Sequence, residues 1–191
     1  MINPTSITNF KRTDKELEQF FVFCWFSKAA NAKQLGVKIN NLFDHLDDAC
    51  EDMDLNLSPF GQLNYCLQSD LLKSLLEEFK VGKYEAFIKA FSSFGRLNLR
   101  TCSIEDVENI PGIGKKIARM FLLHSRHNQR YVCLDTHLMK EARKIGATDQ
   151  ITAPHGQKYL DIEEKMIKFL TDRYKYVDFA KFDLDCWKSY S

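Results

Sequence analysis

Nearly every apolar segment of this chain repeats at i, i+3, i+4 and i+7, and no window alternates cleanly over the length of a strand. Such a period lets a segment bury one stripe only as a helix, so the fold class it predicts is all-α. Thr13-Asp14-Lys15-Glu16 is a capping box that opens a helix running through Ala30, with Leu17, Phe20, Phe21, Cys24 and Trp25 on its buried face. Further helices are predicted over Val37 to Met53, Gln62 to Phe79, Lys83 to Phe94, Ser103 to Asn109, Gly114 to Arg126, Asp135 to Lys144, Gln157 to Tyr174 and Asp178 to Ser189. Breakers such as Pro59-Phe60-Gly61, Val81-Gly82 and Ile110-Pro111-Gly112 fall between them, and no low-complexity linker divides the chain.

Several classes are excluded early. The longest apolar run, Phe20 to Phe26, is far too short to span a bilayer, and the N-terminal residues lack an apolar core of signal-peptide length. An intracellular protein is expected, one that works without a membrane. The six cysteines have no CxxC or His/Cys ligand spacing, which suggests neither a zinc site nor an iron–sulfur cluster. At 191 residues the chain can bury a core without such staples.

Net charge is only +1, but it is segregated. Asn41 to Asp54 carries six acids and no Lys or Arg, whereas Pro111 to Gln150 carries eight Lys/Arg against three acids. Two solvated faces would give the same pattern; so would an acidic flank beside a surface for a polyanion.

The basic part opens with Ile110-Pro111-Gly112-Ile113-Gly114-Lys115-Lys116-Ile117-Ala118. A second capping box, Ser103-Ile104-Glu105-Asp106, starts a short helix that runs into this turn, and another helix leaves it at once. Glycine at 112 and 114 permits positive φ and lets a partner approach bare backbone. Amides at the following helix start then face outward, where the helix dipole favours an anion. The turn reads as plain punctuation or as a phosphate cradle; Lys115, Lys116 and Arg119 in the first turns, opposed to the dipole, favour the cradle.

That segment resembles the hairpin of the helix-hairpin-helix DNA glycosylases, the endonuclease III and 8-oxoguanine glycosylase superfamily, whose pattern is roughly Leu/Ile-Pro-Gly-x-Gly-x-Lys-x-Ala. Cys133-Leu134-Asp135-Thr136-His137 is similar to the superfamily's Val/Leu-Asp-x-His segment. Weaker similarity extends to "VGKYEAFIKAF" and to "ELEQFFVFCWFSKAANAK". The ending "FDLDCW" resembles the Asp-Leu-x-Leu-Trp ending of compact, cluster-free 8-oxoguanine glycosylases, whereas endonuclease III usually carries a four-cysteine loop after the last helix, where this chain has Cys186 alone.

The resemblance implies a bifunctional DNA glycosylase and abasic-site lyase of base excision repair. Lys116 matches the nucleophile position and Asp135 the carboxylate that stabilises an oxocarbenium-like sugar. Ile110, Gly112, Gly114, Lys115, Arg119 and Lys28 are expected to bind DNA, the last within the wedge region Ser27-Lys28-Ala29-Ala30-Asn31. Trp187, with Asp183 or Asp185, is expected to hold an extruded base. His137 is expected as a structural neighbour. The partner implied is double-stranded DNA with a damaged base, 8-oxoguanine first and an oxidised pyrimidine or other modified base second, met by a monomer. No organic cofactor and no iron–sulfur cluster are implied; hairpin carbonyls would hold a monovalent cation.

Two helical subdomains with a DNA-binding cleft between them are also implied: about 31–130 as a central barrel containing the hairpin, and about 1–30 with 131–191 as the second. From the residues alone other readings stand. Asp135 could be only an N-cap, Trp187 only a core side chain, and the whole chain a non-catalytic helix-hairpin-helix module that grips DNA or an enzyme for a programmed base modification.

Overall fold

The computed structural model describes every residue except 29, 30, 176 and 191, and among the described residues it contains ten α-helices and no strand. They are α1 (Asp14–Phe26), α2 (Ala32–Asp52), α3 (Pro59–Gln68), α4 (Leu72–Glu78), α5 (Tyr84–Phe94), α6 (Ile104–Glu108), α7 (Lys115–Ser125), α8 (Thr136–Lys144), α9 (Gln157–Arg173) and α10 (Phe179–Tyr190). The helical class expected from the periodicity is what the chain adopts.

Both expected capping boxes form. Thr13 accepts from the Glu16 amide and Ser103 from that of Asp106, each with its reciprocal bond. One expected helix divides: Gln62 to Phe79 is broken between α3 and α4, where Asp70 takes a left-handed φ of 57°. Neither Gly nor Pro marks this break. Asp reaches the left-handed region more readily than most residues because its short polar side chain can bond locally, and the apolar period resumes beyond it.

Contacts separate the chain into two units, residues 1–7 with 11–113 and residues 8–10 with 114–191. The resemblance grouped α1 with the C-terminal helices and drew the boundary near 130. In the contact units α1 lies with the first, and the chain divides at 113/114.

In the first unit the second half of α1 is apolar on all sides. Every residue from Phe20 to Phe26 is buried, which is how a helix with this run behaves at the centre of a core. Phe26 stacks on Phe87 of α5 with centroids 4.6 Å apart, while Phe60 of α3 meets Phe91 and Phe94 edge-on. Glu18 Oε2 accepts from the Phe60 amide at 2.8 Å, placing an anion at the start of α3. The apolar run is thus a core helix, and no helix among the described residues is long and apolar enough to cross a membrane.

In the second unit α10 packs on α7 and α8. Residues 132–134 between α7 and α8 are buried without being helical. The short segment 8–10 joins this unit: Thr8 Oγ1 lies 2.8 Å from His124 Nδ1, and the Asn9 amide donates to the His124 carbonyl at 3.1 Å.

Candidate active site

In the first unit the Pro-Gly turn is built against the end of α1. The Ile113 amide donates to the Ile110 carbonyl at 2.9 Å, and both isoleucine side chains are buried. Ile110 therefore anchors the turn from beneath. Gly112 has a φ of +82°, and a Cβ there would sit 3.1 Å from Lys28 Nζ and 3.3 Å from Trp25 Cζ2. Trp25 Nε1 donates to the Pro111 carbonyl at 3.3 Å. The Lys28 ammonium, 5.0 Å from the Trp25 ring centroid, has its pKa lowered by burial and then by the charge of Lys83. Lys28, expected from sequence to touch DNA, thus stands beside the hairpin glycine.

Of the wedge region, Ala29 and Ala30 lie outside the described residues. Asn31 caps α2, accepting from the Gln34 amide at 3.1 Å.

The second unit begins at Gly114, the N-cap of α7, with no side-chain cap and open space where a Cβ would stand. Lys115 and Lys116 follow, both half-buried. Among the described residues no hydrogen bond or ion pair ties down the Lys116 amine.

Arg119 departs from its expected role. It is 4% exposed, and its Nε donates to both carboxylate oxygens of Glu163 at 2.8 and 2.7 Å. A guanidinium held this way faces the interior of its unit rather than a phosphate.

Asp135 is the N-cap of α8. Its Oδ1 accepts from the amides of His137 and Leu138, each at 2.8 Å, and Oδ2 takes neither. Two residues earlier lies the Cys133 thiol, whose pKa stands well above its ordinary value. Burial is the main cause, the Asp183 carboxylate adds to it, Lys116 opposes it, and Asp135 adds again. One buried thiol therefore feels the Lys116 amine and the carboxylates of Asp135 and Asp183 together. The Lys116 amine and the Asp135 carboxylate, with one oxygen not used in capping, both belong to this unit.

The pocket residues expected on α10 separate. Asp183 Oδ2 lies 3.1 Å from Nε2 of the fully buried His124, and Trp187 is half-buried. Asp185 is exposed and pairs with Lys181 one turn earlier, so it faces away from any pocket lined by Asp183. The His137 ring stacks on Tyr190 with centroids 5.9 Å apart.

No protein-family description matches the chain, and no solved structure matches it. Among curated proteins, the endonuclease III of Buchnera aphidicola subsp. Baizongia pistaciae is 27% identical over 90 residues, a span that covers 40% of this chain and 39% of that protein. The chain is similar to an endonuclease III. This is distant homology over less than half of either protein, and it supports the helix-hairpin-helix superfamily at that coarse level only.

Periodicity could not find several members of the site. Cys133 reads as an ordinary buried residue before a helix cap. Glu163 and Tyr159 lie on α9, where only burial of a charged and a polar side chain on an amphipathic helix marks them. The partners they meet are distant in the chain, and no local signal joins them.

Proposed function

We propose that this chain is a DNA glycosylase and abasic-site lyase, with Lys116 as nucleophile and Asp135 as the carboxylate that stabilises the sugar cation. What supports the reading is that Lys116 and Asp135 lie in one unit, each within electrostatic reach of the buried Cys133 thiol, in a chain similar to an endonuclease III. The Lys116 amine, once neutral, attacks C1′ of the deoxyribose. The glycosidic bond breaks as the base leaves with a proton, and positive charge developing on the sugar is met by Asp135. The C1′–O4′ bond of this aminal then opens, O4′ taking a proton as the nitrogen loses one, to give an imine; loss of a C2′ proton and expulsion of the 3′ phosphate from it cut the strand.

Amides at the uncapped start of α7 suit a backbone phosphate, with Lys115 beside it. The carbonyls of Ile110 and Pro111 each accept one bond and keep a second lone pair, so they fit a monovalent cation at the turn. Neither an organic cofactor nor an iron–sulfur cluster enters the reading. The substrate is double-stranded DNA with an oxidised base, 8-oxoguanine ahead of an oxidised pyrimidine, because of the "FDLDCW" ending. Trp187 and Asp183 remain the residues that would meet the base, and Asp185 does not.

Borohydride reduction on duplexes containing single altered bases or an abasic site tests this. A covalent adduct that Lys116→Gln abolishes, with duplex affinity largely kept, is the expected result. No adduct on any of these duplexes removes the lyase. Loss of affinity in step with the adduct makes Lys116 a phosphate contact, as in a module that only grips DNA.

A further inference from the structure

We infer that Arg119, Glu163 and Tyr159 are positioning residues that set Asp135 against Lys116; this rests on the reading of those two as the reacting pair.

Residues 132–134 have no strand to pair with, yet their backbone is buried and needs partners. Side chains of α9 provide them. Glu163 Oε1 accepts from the Val132 amide at 3.0 Å. The Tyr159 hydroxyl donates to the Val132 carbonyl at 2.8 Å and accepts from the Leu134 amide at 2.9 Å. The backbone immediately before Asp135 is thus fixed by two side chains from another helix.

The same two side chains hold α7. Glu163 binds Arg119 through both oxygens, and the guanidinium lies 5.0 Å from the Tyr159 ring centroid. Arg119 Nη1 also donates to the Lys115 carbonyl at 3.2 Å, within the helical turn that carries Lys116. One buried network therefore grips the first turn of α7 and the approach to α8. Burial keeps the Tyr159 phenol protonated far beyond its ordinary range, so its hydroxyl both donates and accepts throughout neutral pH. Since a misplacement of about 1 Å can cost on the order of 100-fold in rate, a network that fixes this separation acts on catalysis without touching DNA.

Tyr159→Phe keeps the ring and removes the hydroxyl; Glu163→Gln keeps the shape and removes the charge. In single-turnover borohydride trapping on an abasic duplex, each variant should slow adduct formation about 10- to 100-fold. Affinity for a duplex with a non-reactive tetrahydrofuran site should be unchanged. A rate equal to that of the unaltered protein, or a rate and affinity that fall in proportion, overturns the inference. If the unaltered protein forms no adduct, the proposed activity fails by itself, and backbone amide NMR shifts at the start of α8 decide the positioning. The Tyr159 hydroxyl bonds only to residues 132 and 134 there, so moved His137 and Leu138 amide shifts in Tyr159→Phe, the amides that donate to Asp135, uphold the network's role and unmoved ones overturn it.

Discussion

Trp25 Nε1 donates to the Pro111 carbonyl at 3.3 Å, so the last turn of α1 supports the glycine turn from within the first unit. The indole and the Lys28 amine also fill the space where a side chain at Gly112 would go. The two hairpin glycines therefore have different reasons to be glycine.

Gly112→Ala places a Cβ at φ +82° against Lys28 and Trp25 and should cost about 1–3 kcal/mol. Gly114→Ala, at φ −108° with open space around it, loses only the preference for Gly over Ala at an N-cap and should cost about 0.5–1 kcal/mol. Urea unfolding separates the two. Duplex affinity adds a second comparison: if a DNA strand comes close at Gly114, its alanine variant binds more weakly while folding normally. Equal unfolding curves for both variants would contradict the strain argued for Gly112.

Arg119→Ala tests whether this cation is structural. Both side chains of the Arg119–Glu163 pair are nearly inaccessible, at 5% and 6%, and removing one partner strands the other charge. The expected loss is roughly 3–5 kcal/mol of stability. Arg119→Met with Glu163→Leu should lose less than the two single changes together, though the Val132 amide still forfeits its acceptor. A surface phosphate contact would behave oppositely, weakening DNA binding with no change in unfolding midpoint.

The Arg119 result shows where sequence reading stops. Helix starts were legible because Thr13, Ser103 and Asp135 cap through bonds to amides two or three residues on. The core role of Phe20 to Phe26 was legible from an apolar run too short for a membrane. Arg119, three residues past Lys116 on a helix start, gives no local sign of which way it points, because its acceptor lies on α9. Likewise, Asp70 breaks a helix in a left-handed conformation that Asp adopts more readily than most residues, without the Gly or Pro that would mark the break in sequence. Lys116 and Asp135 stand out by resemblance alone, and no period encodes that both act electrostatically on the Cys133 thiol.

Thr8 connects the N-terminal segment to the second unit through His124, whose other ring nitrogen meets Asp183. His124 is fully buried, so Thr8→Val removes a buried hydrogen bond to its Nδ1 at a cost of about 0.5–1.5 kcal/mol. Thr8→Ser keeps the hydroxyl and should lose far less. Unfolding curves of the two variants check this, and indistinguishable midpoints would show that the bond contributes nothing.

Alkaline pH should weaken the fold through three acids in the second unit. Burial raises the Cys133 thiol well above its ordinary 9.0, pushes Cys186 up to about 12, and lifts the Tyr159 phenol far above 10.0. Below about pH 9 these groups are protonated in both folded and unfolded chains, and their contribution is fully present. As pH rises further, the unfolded chain releases protons that the folded chain keeps, so the equilibrium moves toward unfolding. Each group adds at most about 1.4 kcal/mol per pH unit to that slope. Thermal unfolding under reducing conditions should therefore show a midpoint falling steadily between pH 9 and 11, and Cys186→Ala should make the fall shallower by removing one of the three. A midpoint that is flat over this range, or a Cys186→Ala slope equal to that of the unaltered chain, would mean that these protons are not held by burial.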